Sequence, residues 1–174
     1  NADKIETRYR PGSMLYEIKD PILGNGSLKL TVLAQSKEEG LVVKLETSTV
    51  DPSAKIYAVF GGASGTTFSR NGDIGADPES GFYLLPEYCS NNQFQALKNQ
   101  FQLNYLNKKK ETQMVNGNFS NVPFLQMTDA KTLENLPAFT QNKIVKSPVI
   151  YASYSAQQHP VYIQISKGKS NKNF

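Results

Sequence analysis

Apolar and polar residues alternate along most of this chain with the two-residue period of a half-buried strand. Over 13–20, Met14, Tyr16 and Ile18 fall on one face and Leu15, Glu17 and Lys19 on the other. The stretch 28–36 places Leu28, Leu30, Val32 and Ala34 together, and 41–48 does the same with Leu41, Val43 and Leu45. Gly24-Asn25-Gly26 and Ser36-Lys37-Glu38-Glu39-Gly40 supply turns between them. Three strands joined this tightly predict an antiparallel meander. Asp51-Pro52-Ser53 breaks the pattern, and 55–62 begins a fourth strand that ends in glycines.

Residues 61–96 read as a long irregular stretch. The alternation returns over 101–107, more weakly over 111–116 and 122–127, and strongly over 147–155 and 160–168, which read as a closing hairpin. The best helical segment is TDAKTLENL, 128–136, where Thr128 or Asp129 can cap the start and Leu133 and Leu136 lie three apart. The expectation is an all-β chain: an antiparallel β-sandwich, super-sandwich-like, with at most one or two short helices. It is read as a single domain over 1–168, with 169–174 as a linker or tail stub.

Composition changes this picture little. The 174 residues are 39% hydrophobic and 20% charged, a globular balance with enough chain for a sizeable core. The net charge of +4 collects partly in Lys108-Lys109-Lys110 and in Lys167, Lys169 and Lys172, a loop and a tail rather than a basic face. No nucleic-acid partner is expected from that distribution. No run of about 18 apolar residues suggests a membrane span. A single cysteine, Cys89, leaves no internal disulfide. The beginning has no charged-then-apolar leader, and the polar ending SKGKSNKNF reads as a stub cut from something longer.

The chemically richest segment is RNGDIGADPESGFY, 70–83. Asn71, Asp73, Asp77 and Glu79 put oxygen-bearing side chains at alternate positions around Gly75, the manner in which a calcium loop spaces its ligands. Calcium is therefore one candidate cofactor, with Asp73, Asp77 and Glu79 as ligands. An EF-hand is not matched, because Phe82 stands where the bidentate glutamate belongs and no flanking helices are expected. The same carboxylates could form Asx-turns within the loop, with Arg70 pairing one of them. They could also serve as an acid and base for glycoside hydrolysis, although catalytic pairs usually come from separate elements facing a cleft.

Other motifs carry less. His159 precedes Pro160 in a turn, with no serine or cysteine nucleophile pattern to partner it. Cys89 sits in a stretch that reads as a polar loop. GGASG, 61–65, lacks the Gly-Lys-Ser/Thr of a phosphate loop and reads as a bend or a close backbone approach. There is no Trp, so any sugar-stacking ring must be a Tyr; Tyr83, Tyr88, Tyr151 and Tyr154 are candidates, each with a plain alternative as a strand or core residue.

Two runs carry a resemblance: R-P-G-x-M-x-Y-E-I at 10–18, and F-G-G-A-S-G followed by R-N-G-D-I-G-A-D-P-E-S at 60–80. Over roughly residues 8–105 the chain resembles the bacterial domain of unknown function 4450 family of Bacteroidetes. The resemblance implies a β-rich segment that precedes a helical toroid like that of glycoside hydrolases, in a periplasmic or secreted parent that processes sugars. It names no catalytic residue.

The combined expectation is a non-catalytic, carbohydrate-associated sandwich domain of a larger glycan-degrading protein. Its partners would be an oligo- or polysaccharide and the adjoining helical toroid. The expected contact residues are Arg70, Asn71, Asp73, Asp77, Glu79, Tyr83 and Tyr88. The alternatives are a small glycoside hydrolase using the carboxylates of the 70–80 loop, and a purely structural interaction module.

Overall fold

The computed structural model describes residues 2–65, 84–122, 124–144, 146–157 and 160–168. They form eleven strands: β1 Lys4–Arg10, β2 Ser13–Lys19, β3 Ser27–Ala34, β4 Gly40–Ser48, β5 Lys55–Phe60, β6 Gln93–Leu97, β7 Gln100–Leu106, β8 Thr112–Phe119, β9 Gln126–Asp129, β10 Pro148–Ser155 and β11 Val161–Lys167. Two four-residue helices, α1 Pro86–Cys89 and α2 Leu136–Phe139, and two 3-10 turns, Pro21–Leu23 and Ala130–Thr132, complete the described secondary structure. No described helix is long and apolar enough to cross a membrane.

The strands make two antiparallel sheets. The large one has eight strands in the order β1-β2-β3-β4-β11-β8-β7-β6, and the small one has three, β5-β10-β9. The expected meander is present in β2, β3 and β4, and its register matches the hydrophobic pattern. Met14 pairs with Val32 and Val32 with Val43, while Tyr16 pairs with Leu30 and Leu30 with Leu45. Each row therefore puts apolar side chains on one face, which is the condition that sets register in a half-buried sheet.

The inner faces of the two sheets share one core. Leu45, Phe101, Leu103, Phe119 and Val161 come from the large sheet and Ile150, Ala152 and Tyr154 from β10. Phe60 of β5 and Phe101 of β7 meet across the gap with ring centroids 5.2 Å apart. The outer face of the small sheet is covered as well. Tyr151 packs on Phe139 of α2 with centroids 4.4 Å apart, and Val149 joins Cys89 and Ala130 in a second small cluster. β10 is thus the middle strand of its sheet and buried on both faces, which is why its apolar residues run almost without interruption.

Three sequence expectations are corrected. Strands 147–155 and 160–168 do not form a hairpin: β10 pairs with β5 and β9, whereas β11 pairs with β4 and β8 in the other sheet. A strand buried on both faces and one with a polar face cannot share the same environment, and the chain crosses between layers here. Second, 128–136 holds only one short turn of 3-10 helix, Ala130–Thr132, capped by Asp129 as expected, and no α-helix before Leu136. Thr128 and Asp129 end β9, and the Asp129 carboxylate accepts backbone N–H bonds from Lys131 at 3.0 Å, Lys146 at 2.8 Å and Ser147 at 3.0 Å. It caps only a 3-10 turn, because its second oxygen is committed to the strand opposite. Third, the stretch 61–96 is not irregular throughout: it contains α1 and the start of β6, and β1 likewise precedes the expected first strand.

Candidate functional site

Of the expected contact residues, Arg70, Asn71, Asp73, Asp77, Glu79 and Tyr83 lie outside the described residues, as does His159. The calcium and acid–base readings of that segment therefore lie outside them too. What is described is the pair of anchors on either side of it. Gly62 adopts φ +74°, and a Cβ there would stand 3.0 Å from Leu84 Cδ2 and 3.9 Å from Tyr88 Cβ, so the chain before and after the segment runs side by side. Gly65 adopts φ +65° against the backbone of Asn107. Both positions need glycine for a left-handed backbone and for close approach, as GGASG suggested.

Asn92 holds these anchors together. Its buried side chain donates to the Ala63 carbonyl at 2.8 Å and the Tyr88 carbonyl at 3.2 Å, and accepts from Ala63 N–H at 3.2 Å. Tyr88 lies in α1 and is half-buried. The other candidate rings, Tyr151 and Tyr154, are core residues and are not available for stacking. Cys89 is also corrected: it is fully buried in α1, and burial pushes its thiol pKa up, with the Gly62 N–H opposing in part. A thiol so placed is structural rather than nucleophilic.

A different surface carries the more coherent chemistry. On the outer face of the large sheet, β6, β7, β8 and β11 present amides in register. One row runs Gln95, Gln102, Asn116 and Ser166, and the next runs Leu97, Gln100, Asn118 and Gln164. These residues line a concavity of about 680 Å³ together with the backbone-level residues Ala96, Phe101 and Gly117. Among the described residues no acidic or basic side chain lines it.

The origin of this face is local. Gln-Phe-Gln at 93–95 and again at 100–102 alternates amides outward and rings inward, and Asn-Gly-Asn at 116–118 repeats the device with glycine at the inner position. Some of the amides are fixed. Asn99 donates to Asn118 Oδ1 at 2.9 Å and to the Phe119 carbonyl at 3.0 Å, and Gln164 reaches Gln35 at 3.4 Å. The side-chain amides of Gln95, Gln100 and Asn116 are exposed and make no hydrogen bond among the described residues. Tyr162 continues the same face two residues before Gln164, with 45% of its surface exposed.

The other half of the outer face is different. There ion pairs stand on the surface, Lys44 with Glu46 at 2.8 Å and Lys4 with Glu6 at 2.7 Å. The sheet's outer surface is thus divided into a charged half and a neutral, amide-bearing, concave half. Each primary amide offers two donors and a carbonyl acceptor without charge, which suits a ligand made of hydroxyl groups. The repeated Gln-Phe-Gln could have revealed this surface in the sequence, but the strand it begins was hidden inside a segment that read as irregular.

Among the described residues no cluster of three or more His, Cys, Asp or Glu side chains is placed to hold a metal ion. The sequence matches, over residues 1–174, the family model described as Domain of unknown function (DUF4450). The match continues well past residue 105, where the resemblance of the two motif runs ends. No curated protein matches the chain.

Proposed function

Since this chain belongs to the DUF4450 family of β-rich domains, we propose that it is a carbohydrate-associated, non-catalytic domain that holds a neutral glycan on the amide-bearing half of its large sheet. The observation that carries this reading is the in-register array of Gln95, Gln100, Gln102, Asn116, Asn118 and Gln164 around a concavity of about 680 Å³, with no charged lining residue among the described ones. A face of this kind offers hydrogen bonds to hydroxyls at low desolvation cost, since no ion has to shed its water. Tyr162 beside it supplies a partly exposed ring on which a pyranose can lie. Among the described residues the groove's lining is amide, hydroxyl and apolar, which favours binding over acid–base hydrolysis at this surface.

In this reading the domain belongs to a larger exported, glycan-degrading protein and presents substrate to a neighbouring catalytic part, with a helical toroid as the candidate neighbour. The 70–80 segment is a candidate second contact, with the glycan or with that neighbour.

Isothermal titration of the protein with uncharged and uronate-containing polysaccharides tests the proposal. Binding to an uncharged glycan that falls at least tenfold in Gln100→Ala/Gln102→Ala, with an unchanged circular dichroism spectrum, supports it. No binding to any uncharged glycan, or affinity untouched by the double substitution, overturns it.

A further inference from the structure

Among the described residues the large sheet ends on one side at β1, an edge of seven residues whose register with β2 runs unbroken from Lys4 opposite Lys19 to Arg10 opposite Ser13. Long, flat, bulge-free edges invite pairing, and proteins usually interrupt them. β1 has no proline and no bulge. It instead carries two exposed apolar residues, Ile5 at 56% and Tyr9 at 72%, on the inner side of the sheet. The opposite side carries Lys4, Glu6, Arg8 and Arg10.

The order of these residues is self-complementary. Two copies of β1 placed antiparallel keep their faces matched only if residues of the same parity oppose each other. Three central registers satisfy this. Centring on Glu6 puts two carboxylates opposite one another, and centring on Arg8 opposes two guanidinium groups. Centring on Thr7 places Glu6 opposite the second copy's Arg8 twice, and Ile5 opposite its Tyr9 twice. Only the end pairs, Lys4 against Arg10, bring like charges together, where strands fray. Opposite charges across an antiparallel pair stabilise and like charges destabilise, so the sequence selects the Thr7 register from the three.

We infer that β1 is an interface for a second copy of this chain, which pairs with it antiparallel about a two-fold axis at Thr7 and joins the two eight-stranded sheets edge to edge. The contact is isologous, as a closed two-fold dimer requires. It leaves the amide-bearing face, at the other end of the sheet, free on both copies. The inference stands on an observation separate from glycan binding and does not depend on it.

Sedimentation equilibrium of the full chain from micromolar to several hundred micromolar is the first measurement, and a concentration-dependent monomer–dimer equilibrium is expected. Arg8→Glu and Glu6→Arg should each raise the dissociation constant at least tenfold, and the two together should restore it. Both positions are exposed, so the fold is expected to survive either change. Thr7→Cys should cross-link the dimer under mild oxidation, whereas Ile5→Cys should not, because its copies lie four positions apart. The native Cys89 is buried and does not compete. A monomer at every concentration would leave the edge to a strand of different sequence and would overturn the inference. A dimer indifferent to both charge reversals, or one that Thr7→Cys does not cross-link, would do the same.

Discussion

Phe101 lies across Gly117 on the neighbouring strand, its ring occupying the space in which a Cβ at 117 would stand. The pairing lets one phenylalanine reach Phe60 of the opposite sheet, Phe94 of β6 and Phe119 of β8 at centroid distances of 5.2, 5.7 and 6.0 Å. It also sets Asn116 and Asn118 on the outer face, one on each side of the glycine. The same tripeptide therefore serves the core and the candidate binding surface.

Gly117→Ala is expected to destabilise the fold by about 1–3 kcal/mol, the usual cost of forcing a group into a packed core. The lost stability should appear in urea unfolding as a lower midpoint at unchanged slope. A substitution tolerated without loss would mean that the ring moves aside freely.

Asn92→Ala removes three hydrogen bonds to the backbone of Ala63 and Tyr88 in a buried site. A loss of about 1–3 kcal/mol is expected from the orphaned groups. Asn92→Asp should destabilise too, because a carboxylate accepts from Ala63 N–H but repels the two carbonyl oxygens. The same urea titration distinguishes the cases, and a wild-type midpoint in either variant would contradict the bridging role.

Tyr154 is buried in the core, and its hydroxyl makes no hydrogen bond among the described residues. Burial pushes its pKa well above the ordinary value of 10.0, and burial likewise raises that of Tyr151. A raised folded-state pKa means that the unfolded chain releases its proton first. The contribution is therefore fully present below pH 10 and is lost as pH rises past 10. Thermal stability followed from pH 8 to 11.5 should fall on that alkaline limb. Tyr154→Phe should flatten it and match or exceed the wild-type stability at pH 8.

Cys89 should resist thiol reagents in the folded protein and react once it unfolds. Its thiol is wholly buried, and desolvation disfavours the reactive thiolate. Labelling with a chromogenic disulfide at pH 8, with and without denaturant, checks this. Rapid reaction under native conditions would mean that α1 opens locally.

Tyr162→Ala should weaken binding of an uncharged glycan about tenfold, or about 1.4 kcal/mol, without changing stability measurably. Tyr162→Phe should retain most of the affinity if the ring acts by stacking. A titration in which both variants match wild type would remove Tyr162 from the proposed surface.

The amino-acid sequence by itself determined the class of fold and the inner faces of β2, β3 and β4. A two-residue apolar period is a local property, and it dictates which side chains turn inward wherever a sheet forms. It also marked Gly62 and Gly65 as special positions, since turns written in glycine are local as well. Tertiary structure decided the rest. It sent β10 and β11 to different sheets, because the partner of a strand depends on which remote surfaces need covering. It gave Asp129, the cap of a short turn, a second task as a clamp on the backbone of Lys146 and Ser147, a contact that no local pattern announces. It also assembled the amides of four strands into one face, where only the register between strands brings Gln102 beside Asn116 and Asn116 beside Ser166.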